Sequence, residues 1–259
     1  MSDQRRWTSQ PWELLPVEPA SPTMNLALDE ELTLRVGAGD RPPTLRFWSW
    51  TTGCIVLGRF QSVRNEVQID NANRLGVEIV RRISGGGAMF IEPEGAITYS
   101  LYVPATVAEG MSFAESYAFF DSWVIAALRS LGIDAYYAPL NDITSASGKI
   151  GGAAQARRGG AILHHTTMAY QMNIPAMMEV LRIGQEKLSD KGIRSADKRV
   201  APLRQQTHLP RQVIIDHLIA EFADLTDLRT GALSEQERAG AEIRVRERFD
   251  TDAWRYILP

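Results

Sequence analysis

Residues 149–173 read KIGGAAQARRGGAILHHTTMAYQMN, and two arginines and two glycines stand between two stretches that are rich in small and apolar residues. Strand-like stretches joined by a short glycine turn are typical of a β-hairpin. We therefore expect antiparallel strands at 149–156 and 161–173, with the turn at 157–160. Lys149 would open the first of these strands.

Further strands and helices surround this hairpin without the regular alternation that marks a parallel sheet. Helices are expected where apolar residues recur every three or four positions, and strands where they alternate. The stretch 97–103 alternates most clearly, which predicts a half-buried strand with a polar partner face. The other expected strands lie at 45–48, 54–57 and 76–80, and the helices at 21–39, 112–131, 177–181, 211–225 and 234–248. The pattern predicts an α+β fold, with residues 1–259 as a single domain.

The composition of the 259 residues is that of an ordinary globular protein, with 44% hydrophobic and 23% charged residues. The net charge of -3 and the sequence pI near 5.9 argue against a nucleic-acid-binding protein, because such binding needs a concentrated basic face. The one locally basic run, 187–204, is broken by Asp190 and Asp197, and we interpret it as a solvated segment. A local docking surface is the alternative for this run.

The chain has a single cysteine, Cys54. It excludes an internal disulfide and a zinc site made of several cysteines, and it fits a reducing compartment. No stretch approaches the roughly 18 consecutive apolar residues of a membrane helix, and the polar start of the chain has no apolar segment behind it. We therefore expect a cytoplasmic protein that contacts no membrane.

Residues 81–90 read RRISGGGAMF and join two expected strands through three consecutive glycines. Bare Cα atoms allow successive N–H groups to converge on an anion and let a phosphate approach closely. Arg81 and Arg82 directly upstream favour such an anion site over a flexible turn or a bulge. The spacing fits neither a Walker loop nor a dinucleotide fingerprint, because a strand follows where a helix should.

Lys149 is the only lysine in the first 186 residues of a chain that otherwise uses arginine for its positive charge. Lysine is a compact point charge on a thin stem, suited to reach one phosphate or carboxylate oxygen in a tight site. Asn141 and Asp142 precede it, and the carboxylate could hold a magnesium ion or orient the lysine. The alternatives are a lysine without a role and a simple turn at Asn141-Asp142.

Three other features carry side chains that are capable of chemistry. His164 and His165 follow each other in an expected strand, so their rings point to opposite faces and cannot both bind one metal ion; one is expected to line a pocket. Asp29 or Glu30 on the first helix could face the site, but solvated helix charges are the preferred interpretation. Cys54 lies in an apolar stretch without a nearby base, which favours a buried small hydrophobe over a nucleophile.

Taken together, six motifs resemble the lipoate-protein ligase family in order and spacing, over roughly residues 20–250. They stand at 25–30 (NLALDE), 57–61 (LGRFQ), 81–90 (RRISGGGAMF), 141–143 (NDI), 148–155 (GKIGGAAQ) and 163–167 (LHHTT). The resemblance implies a biotin/lipoate ligase-like α+β domain related to the class II aminoacyl-tRNA synthetase core. Its sheet is expected to be mixed, largely antiparallel and flanked by helices.

The resemblance also implies a reaction in two steps. Lipoate attacks ATP, with Mg2+, to form lipoyl-AMP, and the lipoyl group then passes to a lysine of an acceptor protein. The implied acceptors are the lipoyl domains of 2-oxoacid dehydrogenase E2 subunits and the glycine cleavage H protein. Many ligases of the family carry an accessory C-terminal domain, which is absent from this sequence, so a separate accessory subunit is a further expected partner.

Residue roles follow from the same resemblance. Lys149 is the expected catalytic residue, and Asp142 is the expected Mg2+ ligand. The nucleotide and acyl-adenylate contacts are expected at Arg82, Gly86, Gly87, Ala88, Met89, Asn141, Asp142 and Lys149. The substrate pocket is expected at Ser84, Gly85, Gly151 and His165.

The same superfamily contains octanoyltransferases, which work without ATP through an acyl-cysteine intermediate. Their cysteine lies near the position of Asn141 or in the hairpin beyond the lysine, and this chain has none at either place. The ATP-dependent ligase is therefore favoured, with an acyltransferase or amidotransferase as the alternative. The chain departs from the ligase pattern at Ile91-Glu92, where the family has His-Asp, and at Thr166, where it has glycine. Lipoate and octanoate both remain open as the acyl group.

Overall fold

The computed structural model describes residues 3–182 and 200–259, so most of the basic run at 187–204 lies outside the described residues. The described strands, in chain order, are β1 (Trp12–Leu15), β2 (Pro19–Ala20), β3 (Thr44–Phe47), β4 (Ser49–Trp50), β5 (Cys54–Leu57), β6 (Glu78–Arg81), β7 (Met89–Ile91), β8 (Ala96–Pro104), β9 (Tyr136–Ala138), β10 (Asp142–Ser145), β11 (Gly148–Arg158), β12 (Ala161–Ala169) and β13 (Leu228–Thr230). The described α-helices are α1 (Asp3–Thr8), α2 (Pro22–Ala38), α3 (Val63–Glu66), α4 (Ile69–Arg74), α5 (Phe113–Ser130), α6 (Ile174–Val180), α7 (Arg211–Leu225), α8 (Glu235–Arg244) and α9 (Asp252–Arg255).

A main sheet of eight strands has the order β13-β1-β3-β8-β12-β11-β10-β9, and β6-β5-β7 form a smaller sheet. The neighbours of β1 are parallel to it, whereas every pair from β3 to β9 is antiparallel. The mixed, largely antiparallel α+β architecture that was predicted is thus confirmed. None of the described helices is long and apolar enough to cross a membrane.

The predicted hairpin is the centre of this sheet. β11 pairs with β12 from Gly151↔Met168 to Arg158↔Ala161, and Gly159 and Gly160 form the turn with φ of +54° and +83°. Only glycine adopts such backbone angles without strain, which is why the turn falls there. The second strand ends at Ala169 and not at 173, because the chain turns after it to begin α6.

The predicted helix ends are confirmed where a side chain caps the backbone. The Ser21 hydroxyl accepts a hydrogen bond from the Met24 N–H at 3.1 Å, and Gly39 ends α2 with φ of +80°. Ser112 and Glu115 form a reciprocal capping box at the start of α5. The helix predicted at 234–248 is α-helical only to Arg244, and residues 245–249 form a π-helical turn.

Two hydrophobic cores lie on the two faces of the main sheet. In the first core, α5 and α7 pack against one face of the sheet. In the second core, α2 and the C-terminal helices pack against the opposite face. Strand β8 contributes side chains to both cores, so both of its faces are buried, and the prediction of a half-buried strand was wrong. The polar side chains of Ser100 and Tyr102 face α2, where they donate hydrogen bonds to a buried carboxylate, that of Asp29.

Gly37 provides a test of how α2 packs on the hairpin turn. A methyl group on its Cα would lie 2.0 Å from the carbonyl oxygen of Gly159. We expect Gly37→Ala to lower the free energy of unfolding by about 1–3 kcal/mol, because the clash is with backbone and outweighs the roughly 1 kcal/mol that alanine gains in a helix. Urea unfolding measures the change. Gly53→Ala, whose nearest described contact would be 3.5 Å away, is the control, and equal stabilities of the two variants would contradict the prediction.

Candidate active site

A cleft of about 730 Å3 opens between the small sheet, the hairpin and α6. Among the predicted site residues it is lined by Arg82, Gly86, Gly87, Ala88, Met89, Asn141, Asp142, Lys149, Gly151 and His165. The fold therefore brings together motifs that are more than 60 positions apart in the chain. Ser84 and Gly85 lie outside the wall of the cleft.

The glycine loop, residues 84–88, is held from below by Arg82. The guanidinium donates to the carbonyl oxygens of Gly85 (2.6 Å) and Gly87 (2.9 Å) and to the hydroxyl of Ser84 (3.1 Å). It also donates to Val56 O of β5, and burial lowers its pKa to about 10. Two carbonyl oxygens of the loop are thus turned toward the arginine. Arg82 organises the loop as well as lining the cleft.

The other loop that touches the glycine loop is 58–61. The Arg59 N–H donates to the Ser84 carbonyl at 2.8 Å. A methyl group on Gly58 would lie 2.1 Å from the carbonyl oxygen of Gly86, so the two loops are in backbone contact. Gly86 itself has φ of +94°, a conformation that favours glycine.

Lys149 and Asp142 face each other across the antiparallel pair β10-β11. The Lys149 Nζ lies 2.7 Å from the Asp142 Oδ1, and the side chains are 35% and 7% exposed. Asn141 donates its side-chain amide to the Ala153 carbonyl at 2.6 Å, which ties the start of β10 to the hairpin. The predicted closeness of Asn141, Asp142 and Lys149 is therefore found, with the carboxylate orienting the ammonium.

His165 links the cleft to a buried carboxylate on α2. Its Nδ1 lies 2.7 Å from Asp29 Oδ2, and its Nε2 lies 2.6 Å from the Ser84 hydroxyl. Asp29 also accepts from Ser100 (2.8 Å) and Tyr102 (2.6 Å) and is only 1% exposed. Burial lowers the pKa of His165, and this effect outweighs the hydrogen bond to Asp29, which raises the pKa. A neutral imidazole that donates from Nδ1 and accepts the Ser84 hydroxyl at Nε2 satisfies all of these contacts.

The interpretation of Asp29 and Glu30 as solvated charges was wrong. Glu30 is 1% exposed and binds Arg158 and Arg248, each at 2.6 Å. Its partners come from the hairpin and from the C-terminal helices, so sequence neighbours do not reveal them. One feature of the sequence did indicate that Asp29 is buried: Asn25 and Asp29 stand four positions apart, on the row of α2 that faces the sheet.

His164 points to the opposite face of the sheet from His165, as predicted. Its Nε2 lies 2.9 Å from Asp121 Oδ1 in the core beneath α5, far from the cleft wall. Asp121 was not identified from the sequence. Tyr99 and Thr166 donate to the same carboxylate oxygen, each at 2.9 Å, so Thr166 belongs to this core cluster.

The wall of the cleft combines two kinds of lining. Lys149 supplies a positive charge, and the glycine loop supplies backbone without side chains, a combination suited to an anion. Apolar side chains also line the cleft: Leu26, Trp48, Trp50, Val56, Met172 and Met177. An acyl chain with an activated carboxylate has this combination of properties.

The model of the lipoyl protein ligase A/B catalytic domain matches residues 21–223, most of the chain. The chain belongs to this family. It is accordingly an enzyme of the lipoate ligase and acyltransferase group, and the resemblance that was based on the six motifs is confirmed.

Relatives within the family carry both activities in their names. Octanoyltransferase LipM of Kyrpidia tusciae is 28% identical, over 95% of this chain and 99% of its own length. Lipoate-protein ligase A subunit 1 of Thermoplasma acidophilum is also 28% identical, over 93% of this chain and 94% of its own. The sequence therefore shows the family, and the named relatives of this chain include both ligases and transferases.

Solved structures of the family confirm the lipoate ligase-like fold. The bi-partite lipoate protein ligase of Thermoplasma acidophilum, described with its E2 lipoyl domain, superimposes with a TM-score of 0.83 at 29% identity, over 96% of this chain and 97% of its own. A lipoate-protein ligase A bound with ATP superimposes with a TM-score of 0.82 at 26% identity, over 96% and 100%.

Two further residue predictions concern nucleophiles and metals. Cys54 lies in β5 with 0% exposure, outside the cleft wall, and burial raises the pKa of its thiol. The prediction of a buried small hydrophobe is confirmed. Within residues 3–182 and 200–259, no three His, Cys, Asp or Glu side chains converge as in a metal site. The assignment of Mg2+ to Asp142 stays a prediction.

Proposed function

We propose that this chain is an ATP-dependent lipoate-protein ligase, with residues 1–259 acting as one catalytic domain in the cytoplasm. One observation carries the proposal: a lysine ammonium, which suits an anion, lines the cleft, whereas the only thiol of the chain is buried in β5 outside the cleft. An acyl transfer through a cysteine intermediate needs an accessible thiolate near the acyl group. Activation by ATP needs no such group.

The proposed first step joins the lipoate carboxylate to the α-phosphorus of ATP, and the bond to the β-phosphate breaks so that pyrophosphate leaves. Negative charge is spread over the phosphoryl oxygens in the transition state. Lys149 Nζ, already oriented by Asp142, would stabilise these oxygens together with the N–H groups of the glycine loop. Mg2+ would neutralise the departing pyrophosphate.

In the proposed second step, the amine of an acceptor lysine attacks the acyl carbon of lipoyl-AMP. A carbon–nitrogen bond forms, the nitrogen loses a proton to water, the bond from the acyl carbon to the phosphate oxygen breaks, and AMP leaves. We propose lipoyl domains of E2 subunits and H proteins as acceptors, supported by the E2 lipoyl domain in the name of the Thermoplasma structure. The bi-partite nature of that ligase supports a separate accessory subunit for this chain as well.

The alternative is an octanoyl or lipoyl acyltransferase that works without ATP. It is favoured by the similarity to octanoyltransferase LipM over nearly the whole chain. Such an enzyme would have to pass the acyl group from a thioester donor to the acceptor amine without Cys54. Direct attack of the acceptor lysine on the donor is the route left open by this cleft.

The deciding experiment measures AMP release from MgATP, lipoate and a lipoyl domain, with mass spectrometry of the acceptor. AMP together with a lipoylated acceptor is the expected result. If neither forms, octanoyl-acyl carrier protein is supplied without ATP. Acyl transfer under those conditions would establish the transferase and overturn the ligase.

Replacing Cys54 with alanine tests for an acyl-cysteine intermediate. We expect Cys54→Ala to keep the wild-type rate of acceptor acylation within about twofold, because the thiol is buried away from the cleft. The alanine removes one sulfur from a packed strand, so stability is expected to fall by about 1–2 kcal/mol without loss of activity per folded molecule. The rate of acceptor acylation, measured at a temperature well below the unfolding midpoint of the variant, checks the prediction. An inactive but folded variant would indicate a thiol intermediate.

A further inference from the structure

Three arginines near the glycine loop, Arg59, Arg81 and Arg82, have no carboxylate partner among residues 3–182 and 200–259. Arg81 is 0% exposed, and its guanidinium donates to backbone carbonyls: Gly58, Arg59, Gln61, Trp254 and Arg255. Burial lowers the pKa of Arg81, and the charge of Arg59 adds to the effect. Positive charges that are not neutralised by a carboxylate attract an anion that binds nearby.

Trp254 of α9 contacts two of these arginines. Its indole N–H donates to the Arg81 carbonyl at 2.8 Å, and Arg81 donates back to the Trp254 carbonyl at 3.2 Å. Its ring lies 4.4 Å from the Arg59 guanidinium carbon. This distance is typical of a cation–π contact. The tryptophan is 8% exposed, so its orientation is set by packing.

The contacts around Trp254 reach the glycine loop through the neighbouring loop. Arg255 donates to the Ile79 carbonyl of β6 at 2.8 Å, and the Val63 N–H donates to the Leu258 carbonyl at 3.0 Å. Residues 254–258 therefore join β6 to the start of α3, directly after the loop 58–61. That loop in turn bonds Ser84 and packs on Gly86.

We propose that Trp254 is a positioning residue for the glycine loop of the cleft. It fixes the backbone behind this loop through Arg81, and it packs against Arg59, whose backbone N–H donates to the Ser84 carbonyl. The assignment of phosphates to this loop rests on the proposed ligase function. The segment that contains Trp254 lies beyond residues 21–223, which the family model covers.

The test uses two substitutions. Trp254→Phe keeps an aromatic face for Arg59 and loses the N–H donor, whereas Trp254→Leu loses both. For Trp254→Leu we expect the KM for ATP to rise about tenfold. The KM for lipoate is expected to change less than about twofold, because the apolar side chains that line the cleft are untouched. For Trp254→Phe we expect a smaller rise. In both variants, without any substrate, hydrogen exchange at residues 84–89 is expected to be faster than in the wild type.

Trp12 offers a matched control in the other hydrophobic core. Its indole N–H also donates to a backbone carbonyl, that of Trp7 at 3.0 Å, and it is 1% exposed. Trp12→Phe and Trp12→Leu lose the same kinds of interaction without touching the glycine loop. They are expected to lower stability and leave the KM for ATP and the exchange at 84–89 unchanged.

The outcomes separate this inference from the proposed function. If the Trp254 variants keep the wild-type KM for ATP and the wild-type exchange at 84–89, or if the Trp12 controls show the same changes, Trp254 is not a positioning residue. If the wild type releases no AMP from ATP and instead transfers an octanoyl group from octanoyl-acyl carrier protein without ATP, the ligase proposal fails. The exchange comparison then still decides whether Trp254 positions the loop, because it needs no substrate.

Discussion

Replacing Lys149 with alanine is expected to slow adenylate formation by about a hundredfold to a thousandfold while the chain stays folded. Among the described residues that line the cleft, Lys149 is the only lysine. Its Nζ lies 2.7 Å from Asp142 Oδ1. The chain is expected to stay folded because the Lys149 side chain is one-third exposed, with some loss of stability because the 7%-exposed Asp142 carboxylate loses this ion-pair partner. Pyrophosphate release from ATP and lipoate without acceptor measures the first step directly.

Lys149→Arg is the matched control for charge. It keeps one positive charge but replaces a compact ammonium with a wide planar group on a longer stem. If position matters as much as charge, this variant stays well below the wild type in pyrophosphate release. Both variants need an unfolding midpoint near that of the wild type for the comparison to count. Wild-type rates in the alanine variant would show that Lys149 has no part in adenylation.

Replacing Asp29 with alanine is expected to lower the free energy of unfolding by about 3–5 kcal/mol. The carboxylate is 1% exposed and accepts hydrogen bonds from His165, Ser100 and Tyr102, and the Arg46 guanidinium lies 4.0 Å away. Its removal leaves several buried donors without an acceptor, each of which costs free energy. Urea unfolding followed by circular dichroism measures the loss.

Asp29→Asn is the isosteric control for this prediction. Its carbonyl oxygen can still accept from Ser100 and Tyr102, but its amide replaces the acceptor for His165 Nδ1. We expect a loss of stability between those of the wild type and the alanine variant. A loss below about 1 kcal/mol for Asp29→Ala would mean that the network around His165 is not held by this carboxylate.

The features that the sequence predicts correctly depend on short stretches of chain. Ser21 caps α2 through an N–H only three positions away, and the hairpin turn forms where Gly159 and Gly160 allow positive φ. The glycine loop and Lys149 were singled out because bare backbone and a lone ammonium suit an anion, and Gly86, Gly87 and Lys149 line the cleft, while their role in binding an anion stays a prediction. Six motifs in order then indicated the family, which the family model confirms.

The errors concern burial. Strand β8 alternates apolar and polar residues, which is typical of a half-exposed strand. Helix α2 nevertheless covers the polar face of β8, and Asp29 of α2 is the hydrogen-bond partner of polar side chains on that face. Glu30 looks solvated in the sequence, but Arg248 binds it from 218 positions away. Arg81 was grouped with Arg82 in an anion site, whereas its guanidinium binds backbone carbonyls of two distant segments.

The sequence by itself determined the hairpin, the helix caps, the glycine loop and the family, because each rests on backbone preferences or motifs within a few residues. Only the tertiary structure decided which charged groups are buried and which face the cleft. The physical reason is that a buried charge is tolerated only beside its partners. Those partners, as for Asp29 with His165 at 136 positions of separation, are brought near by the fold and not by the chain.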